Sequence, residues 1–191
     1  MWQNTTRLLF KYRIRLTFLI FIALLVWEFS GGVHLRRPFD PGDILGLIGG
    51  LLVVLGSLLR SWSAGVIHKN DILATTGPYA ICRHPLYIGS LNMALGFLII
   101  INEPVNFLVL ALLIALVYVP KIRAEEEKLA GIYGESWNEF TRTTGIFFPK
   151  RFPPDVRMEW NAGQWLKNRE HHGFILSMTI LVILSWLARQ G

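Results

Sequence analysis

Charge is scarce in this chain: of its 191 residues 17% are charged and 52% are hydrophobic. That balance excludes an ordinary soluble domain and fits a helical membrane protein. Cysteine is nearly absent. Cys82 stands alone, so it forms no intramolecular disulfide and leaves the redox compartment open. A multi-cysteine metal site is excluded as well, and no metal is expected. No internal repeat or low-complexity segment is visible, and at this length one domain is the natural expectation. The net charge is +6. The basic residues sit between apolar runs, which points to membrane topology and away from nucleic acid.

What is present is a set of apolar segments. Five are readable: Leu16–Val33, Ile44–Leu59, Leu86–Ile101, Val105–Val119 and Gly173–Leu187. The chain thus reads as an all-α, polytopic integral membrane protein with about five transmembrane helices. The first run is long for the apolar core of a signal peptide and no small-residue cleavage site follows it, so it is expected to be a span. The middle segments reach only about 24 Å at 1.5 Å per residue, short of a full bilayer core. Asn102-Glu103-Pro104 joins two of them as a hairpin. Organisation is expected as two N-terminal helices over 1–59, a core with its membrane hairpin over 60–149, and an extension with a last helix over 150–191.

Basic residues set the orientation. With a cytoplasmic N-terminus, sixteen of the nineteen Lys and Arg fall inside, and only Arg36, Arg37 and Arg189 fall outside. The two substantial polar stretches, Arg60–Pro85 and Pro120–His172, then share the cytoplasmic side, where water-soluble chemistry must occur. Gly46 and Gly50 form a G-x-x-x-G pair that allows close helix approach, a packing device. Glu28 interrupts the first span near its outer end, where an interfacial carboxylate is the preferred reading.

Two blocks carry chemistry. The first runs Gly77-Pro78-Tyr79-Ala80-Ile81-Cys82-Arg83-His84-Pro85-Leu86-Tyr87-Ile88-Gly89. The second runs Arg123-Ala124-Glu125-Glu126-Glu127-Lys128-Leu129, followed by Tyr133-Gly134, Trp137, Phe140, Arg142 and Pro149. Gly77-Pro78 is a turn signal. Pro85 forces His84 out of helical geometry and lets a helix begin after it, a start that favours an anionic group. Each residue alone has a plainer reading. Arg83 is a topology anchor, His84 an interfacial histidine, Tyr87 part of an aromatic belt, and the Glu triplet a solvated face near a helix start at Pro120.

Together the two blocks resemble the isoprenylcysteine carboxyl methyltransferase family, and phospholipid methyltransferases look similar in the same core. The resemblance runs from about Arg60 to Pro149, roughly half the chain. It implies S-adenosylmethionine as cofactor, enclosed where the two blocks meet at the cytoplasmic membrane surface. It implies cofactor-binding roles for Arg83, His84, Pro85, Tyr87, Glu125 and Glu126, and catalytic roles for His84 and Arg142. The partners implied are the bilayer and a lipid or lipid-modified acceptor. Trp137 and Phe140 stand where the family commonly has tyrosine, and about forty residues follow the late proline where a minimal member ends.

The chemistry fits such a pocket. Glu125 or Glu126 accepts from the cofactor's ammonium and ribose hydroxyls, Arg83, His84 or helix-start N–H groups hold its carboxylate, and Tyr87 or Tyr79 borders the sulfonium. A carboxylate acceptor is ionised at neutral pH and needs no base; an amine acceptor needs one, with His84 or an acid the candidate. Two alternatives remain at this level. One is a nicotinamide-dependent membrane reductase of similar architecture, whose pattern usually has Asn at the position of Leu86. The other is a non-catalytic protein keeping only the scaffold. Arg60, Trp62, Gly65 and Lys69 form a further local cluster expected on the cytoplasmic side, near lipid head groups or the cofactor.

Overall fold

A computed structural model describes residues 34–68, 72–151 and 160–190. The expected first span, with Glu28, lies outside the described residues, as do Lys69 and Arg157. From Leu35 onward the chain is one compact unit. Its described residues are helical without a named strand: α1 (Ile44–Val66), α2 (Pro78–Ile81), α3 (Pro85–Ile101), α4 (Pro104–Leu113), a π-helical turn (Ile114–Tyr118), α5 (Val119–Tyr133), α6 (Glu135–Thr143), α7 (Ala162–Lys167) and α8 (Glu170–Leu187). Among the described residues three helices are long and apolar enough to cross a membrane: Ile44–Val66, Pro104–Tyr133 and Glu170–Leu187. The shorter α3 is apolar too.

The helix that opens at Pro104 does not stop before Pro120. It runs for 30 residues through the π-helical turn. Proline lacks an N–H and its ring crowds the carbonyl four residues earlier; the wider turn directly before Pro120 relieves both conflicts within a continuous helix. The acidic triplet therefore lies deep in a long helix and not near a helix start, so the dipole argument for it falls away. At 1.5 Å per residue, about 20 residues cross a bilayer core of about 30 Å, so a span that enters at Pro104 would bring Glu125 and Glu126 out at the far interface. The 17 residues of α3 return over about the same depth, so its start at Pro85 lies level with those acids.

Close packing of α1 on α3 sets the frame. A Cβ at Gly49 would lie 2.9 Å from the Gly96 carbonyl oxygen, and one at Gly56 2.6 Å from that of Gly89. The reverse contacts are as close: 2.5 Å from Gly96 to the Gly49 oxygen and 2.7 Å from Gly89 to that of Gly56. The two pairs are seven residues apart on each antiparallel helix, so only glycine fits at either crossing. Gly46 and Gly50, the pair expected at a helix interface, instead face the chain entering α1. Their neighbours are the Arg37 backbone, Pro38 and Phe39. Asp43 caps α1 by accepting from the Gly46 N–H at 2.9 Å, and Arg36 joins that loop to Asn102 at 2.9 Å. Asn102 itself turns the chain in left-handed geometry (φ 64°), which asparagine tolerates well.

The C-terminal stretch is built into this unit. Gln164 donates to the Ile67 carbonyl at 2.7 Å, Asn168 to that of Ala64 at 2.8 Å, and the Asn161 N–H to that of Gly65 at 3.0 Å. These are carbonyls at the end of α1 that have no partner within their own helix. In α8, Glu170 takes Arg60 at 2.7 and 2.9 Å, and the same guanidinium reaches the Leu86 carbonyl and Ser90 on α3. Ser57 and Ser177 hydrogen-bond at 3.0 Å within the α1–α8 contact. Arg60 is thus a tie among three helices, not a residue reaching for head groups.

Gly56→Ala is expected to lower stability by about 1–3 kcal/mol, because the added methyl meets backbone that cannot retreat. Gly131→Ala, where nothing lies within 4 Å, should be neutral or slightly stabilising through helix propensity. Thermal unfolding in detergent compares the two; equal melting of both variants would mean the α1–α3 contact is loose.

Candidate active site

The first block forms a short rigid path into α3. Gly77 adopts φ 59° ahead of α2, a geometry glycine enters without strain. His84 then precedes Pro85, which begins α3 and has no N–H to leave unsatisfied. The residues between are held from outside. Arg83 N–H donates to the Gly145 carbonyl at 2.9 Å and His84 N–H to that of Ile146 at 3.3 Å. Cys82 and Gly145 form an isolated parallel bridge.

The second block closes on the first through side chains. Glu126 lies 2.8 Å from Arg83 Nε and 3.2 Å from His84 Nε2, both through one carboxylate oxygen. The Arg83 contact is a close ion pair, but its N–H does not point along a hydrogen bond. Tyr87 donates to Glu125 at 2.9 Å. The aromatic rings continue the cluster: His84 meets Tyr87 edge-on at 5.6 Å, and Tyr87 meets Tyr118 at 5.8 Å. Lys121 lies 5.1 Å from the Tyr87 ring centre, and the Arg83 guanidinium 5.8 Å from that of Trp137.

His84 is buried, and Glu126 is half-buried. Burial holds the imidazole below its ordinary pKa, against the opposing pull of Glu126. A carboxylate only accepts, so a neutral His84 donates from Nε2 to Glu126 and leaves Nδ1 as an acceptor. Nearby, burial pushes the Cys82 thiol up to about 11, which leaves it a poor nucleophile at neutral pH.

The structure therefore brings together Arg83, His84, Pro85, Tyr87, Glu125 and Glu126. Among the described residues no hydrogen bond or ion pair joins Arg142 to them. Arg142 is exposed in the last turn of α6, whose buried side chains are Trp137 and Phe140. Sequence reasoning passed over Tyr118, Trp137 as a platform for Arg83, and the Thr144–Ile146 strap. Tyr118 was legible in principle: it is seven residues before Glu125, two turns up the same helix face.

Residues 45–136 match the family model described as phospholipid methyltransferase. A nickel-cobalt-cadmium resistance protein, NccN, of Alcaligenes xylosoxydans xylosoxydans is 33% identical over 148 residues, 75% of this chain and 69% of that protein. The protein-S-isoprenylcysteine O-methyltransferase of Mus musculus is 32% identical over 120 residues, 56% of this chain and 42% of the enzyme. The chain belongs to the isoprenylcysteine carboxyl methyltransferase family, related to the phospholipid methyltransferases. Another relative, the cobalt-zinc-cadmium resistance protein CzcN of Cupriavidus metallidurans, is 41% identical over 108 residues, 56% of this chain and 48% of that protein. The chain thus spans about half the length of CzcN and less than half of the mouse enzyme. No solved structure matches it. The span matched by the family model takes in Arg60, the Arg83–Tyr87 turn and both acids, and ends before Arg142 and Glu170.

The lowered pKa of His84 has a consequence for stability. The unfolded chain binds a proton on this imidazole below its ordinary 6.5, while the folded chain resists it. Stability should be level above that pH and fall as pH drops below it, by at most about 1.4 kcal/mol per unit for one group, until the folded imidazole also titrates. Melting curves from pH 8 to 5 should show this fall in the wild type and a flatter profile in His84→Gln. Parallel curves would show that the folded chain does not hold this imidazole neutral.

Proposed function

We propose that this protein transfers a methyl group from S-adenosylmethionine to a lipid or lipid-modified acceptor at the cytoplasmic membrane surface. A carboxylate is the favoured acceptor. The observation that carries the reading is the meeting of Glu125 and Glu126 with Tyr87, His84 and Arg83 across some forty residues of sequence. A solvated helix face would have no reason to turn two carboxylates into a buried histidine and a rigid turn.

The donor set fits the cofactor's three ends. Glu125, Glu126 and the free Nδ1 of His84 accept from ammonium or hydroxyl groups, Arg83 faces a carboxylate, and the Tyr87 and Tyr118 rings suit a sulfonium. When bound, the cofactor supplies an electrophilic methyl group. The chain's own contribution is placement and exclusion of water. Pro85 and the Thr144–Ile146 strap fix His84 and Arg83, and Tyr87 holds the Glu125 carboxylate in place. A carboxylate acceptor comes already ionised, so no residue must act as base; for an amine, the free nitrogen of neutral His84 is the candidate. The long helix places this polar site level with the start of α3, where a lipid enters from the bilayer and a water-soluble cofactor from the other side. Arg142, exposed and without a hydrogen bond to the cluster, suits contact with the acceptor better than with the cofactor.

CzcN and NccN are named for metal resistance. Among the described residues, no three or more His, Cys, Asp or Glu side chains gather as a metal-binding group. The donor set above supports methyl transfer over metal binding.

Three measurements test the reading. Purified protein should bind S-adenosylmethionine in calorimetry and not reduced nicotinamide, and should pass a labelled methyl group to a component of membrane lipid extracts; the reverse binding preference would sink it. Glu125→Gln and Glu126→Gln should each lose about 1.5–3 kcal/mol of cofactor affinity, and unchanged affinity in both would return the acids to a solvated face. His84→Ala should insert normally and lose most transfer. Loss relieved by saturating cofactor marks a pocket role, and loss that persists marks the transfer step. For orientation, reporters fused after Pro149 and at Gly191 should lie on opposite sides, the first cytoplasmic.

A further inference from the structure

Tyr79 is a buried tyrosine whose hydroxyl has no hydrogen-bond partner among the described residues, and the contacts above give it no role. Its residue is 5% exposed, so bulk water does not reach the hydroxyl. A buried hydroxyl left unpaired costs about 1–3 kcal/mol, and phenylalanine would fill the same space without that penalty. Something must use the hydroxyl or the position gains nothing from being tyrosine.

Position narrows what that is. Tyr79 lies in α2, the single turn between Gly77 and Cys82. The turn is pinned on both sides: the Tyr79 N–H donates to the Thr76 carbonyl at 3.1 Å and the Cys82 N–H to that of Pro78 at 3.2 Å. The next residues are Arg83 and His84. The charges of Glu125, Arg60 and Glu170 all act on the hydroxyl. With Arg83 and His84 only four and five residues on, that puts it within electrostatic reach of the Glu125–Tyr87 pair and the Arg60–Glu170 tie, beside the proposed cofactor pocket. Burial first, then the nearby Glu125 carboxylate, push its pKa well above the ordinary phenol value. The group stays a neutral O–H at any physiological pH, and next to acids that only accept it is a donor held ready.

We propose that the Tyr79 hydroxyl is a further binding element of the site, donating a hydrogen bond to a carboxylate oxygen of a bound reactant. The inference rests on the methyl-transfer reading. Two reactants carry such a group: the amino-acid end of the cofactor and a carboxylate acceptor. Either satisfies the orphaned donor, and neither requires Tyr79 to give up its proton.

Tyr79→Phe removes one oxygen and keeps the ring. The full-length protein in detergent is compared with the wild type in three measurements: thermal midpoint, calorimetric affinity for S-adenosylhomocysteine, and methyl transfer from labelled S-adenosylmethionine to membrane lipid extract. The variant is expected to melt at the same or a higher temperature, since it loses only an unpaired hydroxyl. It is also expected to lose about ten- to hundredfold in one of the other two readouts, the range for a hydrogen bond to a charged group. Weaker S-adenosylhomocysteine binding assigns the bond to the cofactor end. Unchanged binding with slower transfer, or with a raised KM for the extract component, assigns it to the acceptor. A variant that binds and transfers within twofold of wild type overturns the proposal and leaves the methyl-transfer reading intact. A lower thermal midpoint matching the loss of activity overturns it too, because the hydroxyl would then be structural. A wild type that neither binds S-adenosylhomocysteine nor transfers the label overturns the reading itself.

Discussion

Apolar helices gain little from one another in a bilayer, because acyl chains solvate them as well as a neighbouring helix does. What holds α1 to α3 is how near their backbones come, and the glycine crossings at Gly49–Gly96 and Gly56–Gly89 allow that approach. Dispersion between atoms in contact falls off over a fraction of an ångström, so the pairing depends on every one of the four lacking a side chain. The rest follows from that distance. With α1 and α3 so close, Arg60 on α1 reaches the Leu86 carbonyl and Ser90 on α3. That places the start of α3, and so His84, in a fixed relation to the membrane-spanning frame.

Charge is managed in the same economical way. A carboxylate leaving water at the membrane surface must find donors or shift its proton equilibrium. Glu126 finds Arg83 and His84, Glu125 finds Tyr87, and Glu170 finds Arg60. No acid shares a helix with its partner, so the polar contacts also determine how the helices meet. The pairing of Glu126 is incomplete: one oxygen faces both Arg83 and the neutral His84, and the Arg83 N–H is misaligned. A structural ion pair would be better aligned. Such an under-used donor suits the proposed binding of a ligand's charged end.

Much of this was legible in the chain before any coordinates. The spacing of apolar runs gave the helices, and the two motif blocks named the residues that meet, because proline and glycine act locally and polar clusters beside apolar runs have few places to go. What was not legible depended on distant partners. Gly46 and Gly50 fit the usual helix-pairing spacing, but the choice among the five glycines of α1 rests on where the facing helix has its own gaps, at Gly89 and Gly96. Pro120 reads as a boundary under local rules; that it sits inside a helix depends on the π-helical turn absorbing its ring. Arg60 and Glu170 are 110 residues apart, and nothing local in either announces the other.

The C-terminal stretch shows why family resemblance undercounts a site. The matched span ends at residue 136, yet Gln164 and Asn168 occupy carbonyls at the end of α1, and Glu170 holds the arginine that touches the first turn of α3. Removing those partners would leave the end of α1 with bare carbonyls and Arg60 with an uncompensated, largely buried charge. Either defect would be felt at Leu86, two residues from His84. The physical boundary of the site is therefore set by which groups must be satisfied for His84 to hold its place, and that boundary includes α8. A chain ending soon after α6 would need another donor set for α1 and another acid for Arg60. The two parts of this protein have to be treated as one cooperative unit when its site is altered.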